Sequence, residues 1–491
     1  MLKIDDWDAK LKKGEEVSGT YSYISEEILS DIYSLSIMIL NYYDQIFLSD
    51  AVFTILKEIL INANKANAKR LFFQRLGLDI KNPKHYQEGM IRFSDEVTMK
   101  WNEQEGYLSN STFFVKISSK IEKGTWTISV ENNTNVLPEE QERIQKRITA
   151  AQRYNDLSDA FMDMADSTES AGLGLILTQI LLKNSGIGSD NFKMFFNPTS
   201  TMVQLKVTEN VIPTTFHSKF NDQVLNEIEN IPAIPQSLNK LITLCNNPDS
   251  NINLISAEIE KDPALSADLL KLSNSSFFIT RNKAKTVLEA VKIVGLKNIR
   301  NMLYVSGVNK IMNSKYGKAQ QIWDHSAKCS FVAKTIAVDF SKPRLSDLAA
   351  TGGLLHDIGK LVLLTLDKQV MSKMEQLKIN QNNSILIEEM SVGISHAEIG
   401  ARLLRTWKFP EELINIVQYH HKPLLAPMDY MELVEIVYLA NMFLDIMDGK
   451  SSFYMINQNI LKNFKLNNID TFTKYKEKLS NSYKTFSVDG K

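Results

Sequence analysis

Five of the seven histidines in this 491-residue chain lie between positions 325 and 421. His325 sits in Trp-Asp-His-Ser, and His356 precedes Asp357 in Leu-Leu-His-Asp-Ile-Gly-Lys. His396 sits in Ser-His-Ala-Glu, and His420 and His421 are adjacent in Tyr-His-His-Lys-Pro. Neutral imidazoles together with a carboxylate suit Fe, Mn, Zn or a related divalent ion. A lone histidine is usually a satisfied core or surface residue. Five in one stretch, one beside an aspartate and two adjacent, point instead to a shared metal site. The segments between them have helical period, so the ligands must converge across the interior of a helical bundle.

A second set lies in the first half. Glu58, Asn62 and Lys65 are spaced by four and three residues. At about 100° per residue they form one polar stripe, with Leu56, Ile59, Leu60 and Ala63 free to pack elsewhere. An acid, an amide and an amine are what a Mg-triphosphate needs: a group to order water, an oxygen for Mg²⁺ and a cation for phosphate. An amphipathic helix with a solvated face looks the same. Two further segments add to the stripe. Glu131-Asn132-Asn133-Thr134-Asn135 follows a strand, and Ser170-Ala171-Gly172-Leu173-Gly174 opens a helix. A glycine turn at a helix start offers free N–H groups and a positive dipole end to phosphate.

The elements that hold these residues differ between the two halves. Ile24–Phe47 and Ala51–Lys69 read as helices with apolar stripes. Thr125–Val130 alternates, with Trp126, Ile128 and Val130 on one face, which marks a half-buried strand. Phe113, Val115 and Ile117 repeat the pattern, as do Val203, Leu205 and Val207. Pro138 followed by two glutamates suits a helix start. Residues 25–208 are therefore expected to form an α/β two-layer sandwich after an N-terminal segment, 1–24. A proline-bearing linker is placed at 209–227. From 228 to 463 helical periodicity dominates, and Asp262-Pro263 has the form of an N-cap with proline at the first helical position. The polar tail, 464–491, is expected to fray. The fold class is thus multi-domain, α/β followed by all-α.

Composition limits the function classes. Hydrophobic residues make up 44% and charged residues 23%, with a formal net charge of -1, which gives no nucleic-acid signal and leaves a folded globular chain. The opening MLKIDDWDAKLKKGEE has no apolar core and is not expected to be a signal peptide. No apolar run approaches the ~20 residues of a membrane span. Two distant cysteines, Cys245 and Cys329, exclude a disulfide framework and read as buried reduced thiols. A cytoplasmic location is expected, with no membrane partner.

In order and spacing, the three segments of the first half resemble the asparagine-bearing and two glycine-bearing boxes of the GHKL ATPase superfamily, which includes histidine kinases and gyrase-type ATPases. The resemblance implies a Bergerat-like fold and Mg-ATP as ligand. It places Glu58 and Asn62 as the acid and Mg-ligating amide, Lys65 beside them, Glu131 at the adenine-binding aspartate position, and Gly172 and Gly174 in the phosphate loop. Asn133 and Asn135 stand where the family has glycines, so the domain is read as degenerate. No histidine lies on the helices before Glu58, where a histidine kinase keeps its phosphoacceptor.

The string LLHDIGK resembles the HD superfamily of metal-dependent phosphohydrolases. Ile231-Pro232-Ala233-Ile234-Pro235, Lys261-Asp262-Pro263-Ala264-Leu265 with Leu272-Ser273-Asn274-Ser275, and Val287–Leu296 narrow it to the HDOD output domain, over about 228–445. This resemblance implies a bacterial signalling module with His325, His356, Asp357, His396, His420, His421 and Asn441 at the metal-ligand positions. Asp357 and Lys360 are the candidate catalytic residues. Asn441 stands where active phosphodiesterases carry aspartate. Lys422-Pro423-Leu424 replaces the Gly-Tyr-Pro of cyclic-di-GMP phosphodiesterases. The expectation is a non-catalytic HDOD output domain regulated by a degenerate nucleotide-binding domain, acting on signalling proteins, with homodimerisation left open. A metal-dependent phosphohydrolase and an ATP-dependent protein kinase are the alternatives.

Overall fold

A computed structural model describes residues 4–100, 104–154, 156–157, 160, 173–212, 219–247, 249–274, 283–317, 319–366, 368, 371–372, 374–375 and 384–489. The chain divides into two compact units, Met1–Ser218 with Met390–Gly393, and Lys219–Glu389 with Ile394–Lys491.

The first unit is built on one antiparallel sheet. Its strands are β1 (Val17–Tyr21), β2 (Val115–Glu122), β3 (Thr125–Asn132), β4 (Phe192–Phe196) and β5 (Thr201–Thr208), in the order β1-β2-β3-β5-β4. The register sets Ile117 opposite Val130 and Val130 opposite Val203. Period two then puts Trp126, Ile128 and Val130 on the buried face with Ile117 and Leu205. The Trp126 indole donates to Ser119 Oγ at 2.8 Å, so the largest core ring leaves no polar atom unmet. The segment before residue 24 is part of this unit, because α1 (Ile4–Lys12) leads into edge strand β1. Its few apolar positions, Trp7, Leu11 and Val17, are buried.

Helices α2 (Glu26–Tyr42), α3 (Ser49–Arg75), α4 (Pro83–Lys100), α5 (Gln104–Ser109), α6 (Pro138–Ala151) and α7 (Leu173–Asn184) complete the unit. Helix α3 is the one that packs on β2 and β3. Two buried amides fix it: Asn64 exchanges hydrogen bonds with the backbone N and O of Ile24, both at 3.0 Å, and Asn67 donates to Phe114 O at 3.0 Å. Helix α6 starts at Pro138 as its sequence indicates, and Glu140 closes the first turn by accepting from Leu137 N at 3.0 Å. Among the described residues no helix is long and apolar enough to cross a membrane.

The second unit is helical: α8 (Lys219–Glu229), α9 (Gln236–Asn246), α10 (Ile252–Ile259), α11 (Pro263–Ser273), α12 (Val287–Val294), α13 (Leu296–Tyr316), α14 (Gln320–Asp339), α15 (Ser346–Leu355), α16 (Gly359–Leu363), α17 (Ser384–Val392), α18 (His396–Thr406), α19 (Glu411–Tyr419), α20 (Met428–Met447), α21 (Gln458–Asn463) and α22 (Ile469–Asp489). Asp262 caps α11, its Oδ1 accepting from Ala264 N at 3.0 Å and Leu265 N at 3.2 Å.

Two boundaries differ from the sequence reading. The 209–227 linker ends in helix α8, because Phe220, Val224 and Ile228 recur at helical spacing and are buried. The tail is helix α22. Phe472 and Leu479 are buried along one stripe, and the polar remainder faces out. In both, a thin apolar stripe in a polar background decides the structure. Of the thiols, Cys329 is buried and Cys245 half-buried, and neither is in a disulfide.

Candidate functional site

The metal-type residues of the second unit converge, and helix ends bring them there. His325 projects from α14; His356 and Asp357 follow the last turn of α15; His396 opens α18; His420 and His421 end α19. Two glycines allow the close approach. A Cβ on Gly359 would sit 2.0 Å from His396 O and 2.8 Å from Gly400 N, so α16 and α18 touch backbone to backbone. That contact sets Asp357 beside His396. Trp407, just past α18, donates to Pro232 O at 3.0 Å and ties the Ile-Pro-Ala-Ile-Pro segment to the same helix.

Asp357 is the hub. Its Oδ1 lies 3.2 Å from His396 Nε2 and 3.8 Å from His420 Nε2. Its Oδ2 lies 3.4 Å from His356 Nε2, 3.7 Å from His325 Nε2 and 2.7 Å from Lys360 Nζ. Two ligand groups result, Asp357–His396–His420–His421 and His325–His356–Asp357, each with its atoms within 4.8 Å of one another.

Tautomers follow from the outer partners. His356 Nδ1 donates to Gly353 O and His420 Nδ1 to Val417 O, both at 2.7 Å. His396 Nδ1 lies 2.7 Å from Glu388 Oε2, which also accepts from His396 N at 2.8 Å. In the neutral form such a ring points its Nε2 lone pair inward, as at His420. His396 Nε2 and His420 Nε2 face each other at 3.3 Å. His356 Nε2, His421 Nε2 and Asp357 Oδ1 are buried with no hydrogen-bond partner. The acceptors gathered on the Oδ1 side of Asp357 fit a divalent cation, and ligating imidazoles characteristically hold an outer carboxylate or carbonyl in this way.

Electrostatics agree with that fit at His420 and His421 but favour a protonated His356. Burial, then the neighbouring imidazoles, hold His420 and His421 well below the usual histidine range, which is the neutral, ligating form. Burial pushes His325 down to about 4. Burial works against ionised Asp357, but His356 and Lys360 outweigh it and keep the carboxyl well below its ordinary value. Burial likewise opposes the His356 cation, and Asp357 overcomes it, so this imidazole is raised well above the ordinary histidine value.

Asn441, on α20, faces the same centre. Its Oδ1 lies 2.9 Å from His325 Nε2. Glu388 is a functional residue that sequence reading missed; it lies eight positions before His396 and carries no motif of its own. Asp445, one turn beyond Asn441 on α20, stands outside both ligand groups. Burial raises its carboxyl, while Lys360 and Lys450 pull the other way.

In the first unit a cavity of about 140 Å³ lies between the sheet and helices α3, α6 and α7. Glu58 and Asn62 line it. Gly174 meets Glu58 directly, since a Cβ there would fall 1.9 Å from Glu58 Oε2. Lys65 is exposed and is not among the described lining residues. Glu131 is likewise not among the described lining residues. Strand parity turns it away from Val130 and Asn132, and Asn132, Thr134 and Asn135 of the same segment line the cavity. Gly172 lies outside the described residues. The cavity's polar end joins Lys69, Arg70 and Glu140 to the 132–135 segment. Arg70 donates to Glu140 Oε2 at 2.8 Å and to Asn135 O at 2.7 Å, and Lys69 pairs with the same carboxylate. Asn132 donates to Asn67 Oδ1 at 3.2 Å and to Thr134.

Residues 231–423 match the HDOD domain family. Over 429 residues the chain is 30% identical to an uncharacterized protein of Treponema pallidum, covering 87% of this chain and 84% of that one. It is 34% identical over 90 residues to the cyclic-di-AMP phosphodiesterase PgpH of Bacillus subtilis, but the match spans only 18% of this chain and 12% of that protein. Among solved structures it is similar to an HDOD domain protein with unknown function from Geobacter sulfurreducens, at 20% identity and a TM-score of 0.44, covering 55% of this chain and 96% of the other. With the Asp357 centre lying in the matched helical half, the chain carries an HDOD domain and belongs to one family with the Treponema pallidum protein.

Proposed function

We propose that this protein is a signal-transduction protein whose HDOD domain holds a divalent metal ion and serves as an output module. The observation that carries the reading is the convergence of two buried, unpartnered ligand atoms, His421 Nε2 and Asp357 Oδ1, in one helical interior. His396 and His420 add inward lone pairs, and Glu388 fixes one ring. When bound, the ion supplies a Lewis-acid centre; the chain's own residues orient it and keep water out. Elemental analysis of the purified protein tests this. Fe, Mn or Zn bound in the wild type and lost in Asp357→Ala is expected. Metal-free protein after growth in supplemented medium removes the reading.

The N-terminal cavity is the place for a regulatory ligand in this scheme, as a degenerate GHKL-type nucleotide site. Its support is that Glu58 and Asn62 line one cavity and that Gly174 lies against Glu58. Titration calorimetry with ATP and Mg²⁺ tests it, with binding abolished by Asn62→Ala as the expected result. No heat at millimolar ATP removes the nucleotide from the proposal.

A second reading, a metal-dependent phosphohydrolase, is favoured by one feature. The Lys360 and His325 side chains keep 32% and 19% exposure beside a nearly closed centre, which leaves one edge where a phosphate could meet an ammonium. The short likeness to PgpH agrees with a phosphodiester substrate. Turnover of bis(p-nitrophenyl) phosphate or a cyclic dinucleotide, abolished in Asp357→Ala, would replace the non-catalytic reading with this one.

A further inference from the structure

The two oxygens of Asp357 face unlike surroundings. On the Oδ1 side stand His396, His420 and His421, with Oδ1 itself unpartnered. On the Oδ2 side, Lys360 Nζ sits at 2.7 Å, closer than either imidazole of that group. An ammonium at that distance already fills the position of a cation on Oδ2.

His325 adds a second obstacle. Its Nε2 is the nitrogen that faces Asp357, and it lies 2.9 Å from the Asn441 amide. If the amide oxygen accepts, Nε2 carries a proton and has no lone pair. If the amide is turned over, its N–H donates and uses that lone pair. Either way the ligating electrons of His325 are committed to Asn441. The amide also brings no negative charge. A second divalent ion would have to share the single Asp357 carboxylate with the first ion and with the Lys360 cation.

We infer that this HDOD domain is a one-metal centre, in which Asp357 Oδ1, His396, His420 and His421 hold the ion, and the Lys360 ammonium and the His325–Asn441 hydrogen bond close the neighbouring subsite to a second. The inference rests on the metal-holding reading above, and the experiment separates the two. The full chain, stripped of metal, is titrated with Mn²⁺, desalted, and examined by elemental analysis and electron paramagnetic resonance. The wild type is expected to retain one Mn²⁺ per chain with an uncoupled hyperfine spectrum. The Lys360→Met/Asn441→Asp variant, checked for folding by circular dichroism, is expected to retain two that are spin-coupled. The single variant Lys360→Gln, expected to bind a second ion weakly, provides the check if the double variant does not fold. A wild type that retains two ions overturns the inference and leaves the metal centre standing. A wild type that retains none overturns both. A folded double variant that stays at one, or a Lys360→Gln variant whose second-ion affinity does not rise, overturns the roles given to Lys360 and Asn441.

Discussion

One oxygen of Glu388, Oε2, accepts from both the backbone N and ring Nδ1 of His396, at 2.8 and 2.7 Å. The residue is fully buried. A single carboxylate thus fixes the start of α18 and the tautomer of the ring that opens it. Outer carboxylates of this kind characteristically contribute 10–100-fold to metal affinity. Glu388→Gln is therefore expected to weaken Mn²⁺ binding by roughly that factor, measured by competition with a metallochromic chelator. An unchanged affinity in a folded variant would show that Glu388 only packs.

Gly359 makes a sharper demand. The atoms a Cβ would strike, His396 O and Gly400 N, are backbone and cannot swing aside. Gly359→Ala must push α16 from α18 and carry Asp357 away from His396. Overpacking of this sort costs about 1–3 kcal/mol. The expected result is a lower urea midpoint together with a loss of bound metal. A variant with wild-type stability and full metal content would mean that the two helices have slack.

The convergence of the histidines on Asp357 was legible in the sequence because histidines beside Asp357 and in pairs are rare types at telling spacings. Their supports were not, since Glu388 and the Gly359–Gly400 contact exist only through tertiary packing. In the first half the facing of residues 131 and 132 was also legible. Trp126, Ile128 and Val130 point inward, so parity alone turns Glu131 outward and Asn132 inward. Helices α8 and α22 were hidden because their apolar stripes are thin and their remaining positions polar, which composition reads as linker and tail.

Glu140 predicts an acid weakness in the first unit. Burial alone would raise its carboxyl, but Arg70 and Lys69 outweigh it and hold it at about 2 rather than 4.5. Lys69 itself is lowered, because for it burial wins over the shared carboxylate. The Glu140 shift is the firmer of the two, since the Arg70 guanidinium stays charged. A depressed carboxyl stabilises the fold fully above its unfolded value and loses that contribution as pH falls toward its folded value. The window is therefore pH 4.5 down to about 2, and the size on the order of 3 kcal/mol. Hydrogen exchange of the β3 amides, corrected for intrinsic rates, should accelerate across that window. In Glu140→Gln the exchange should already be fast at neutral pH and depend less on acid. Parallel profiles for the two proteins would dismiss the ion triad as the cause.

The C-terminal helix makes the last prediction. Phe472 stacks on Phe443 of α20 with ring centroids 4.6 Å apart and planes 8° apart, and it is 2% exposed. On the same helix, Tyr475 donates to Asp339 Oδ2 at 3.0 Å and Lys478 pairs with it at 2.7 Å, so α22 also grips the end of α14. The helices it holds are those that bear Asn441 and His325. The two contacts should differ in weight. Removing a buried aromatic ring costs about 3–5 kcal/mol, whereas an ion pair with half its lysine in solvent contributes roughly 0–1 kcal/mol. In urea unfolding of the full chain, Phe472→Ala should lower the midpoint of the helical unit severely and Asp339→Asn should barely move it. The reverse order would make the charge, not the ring, what fastens α22. If it is the ring, added salt should leave the wild-type midpoint of that unit little changed, because dispersion and apolar burial are not screened as exposed charges are.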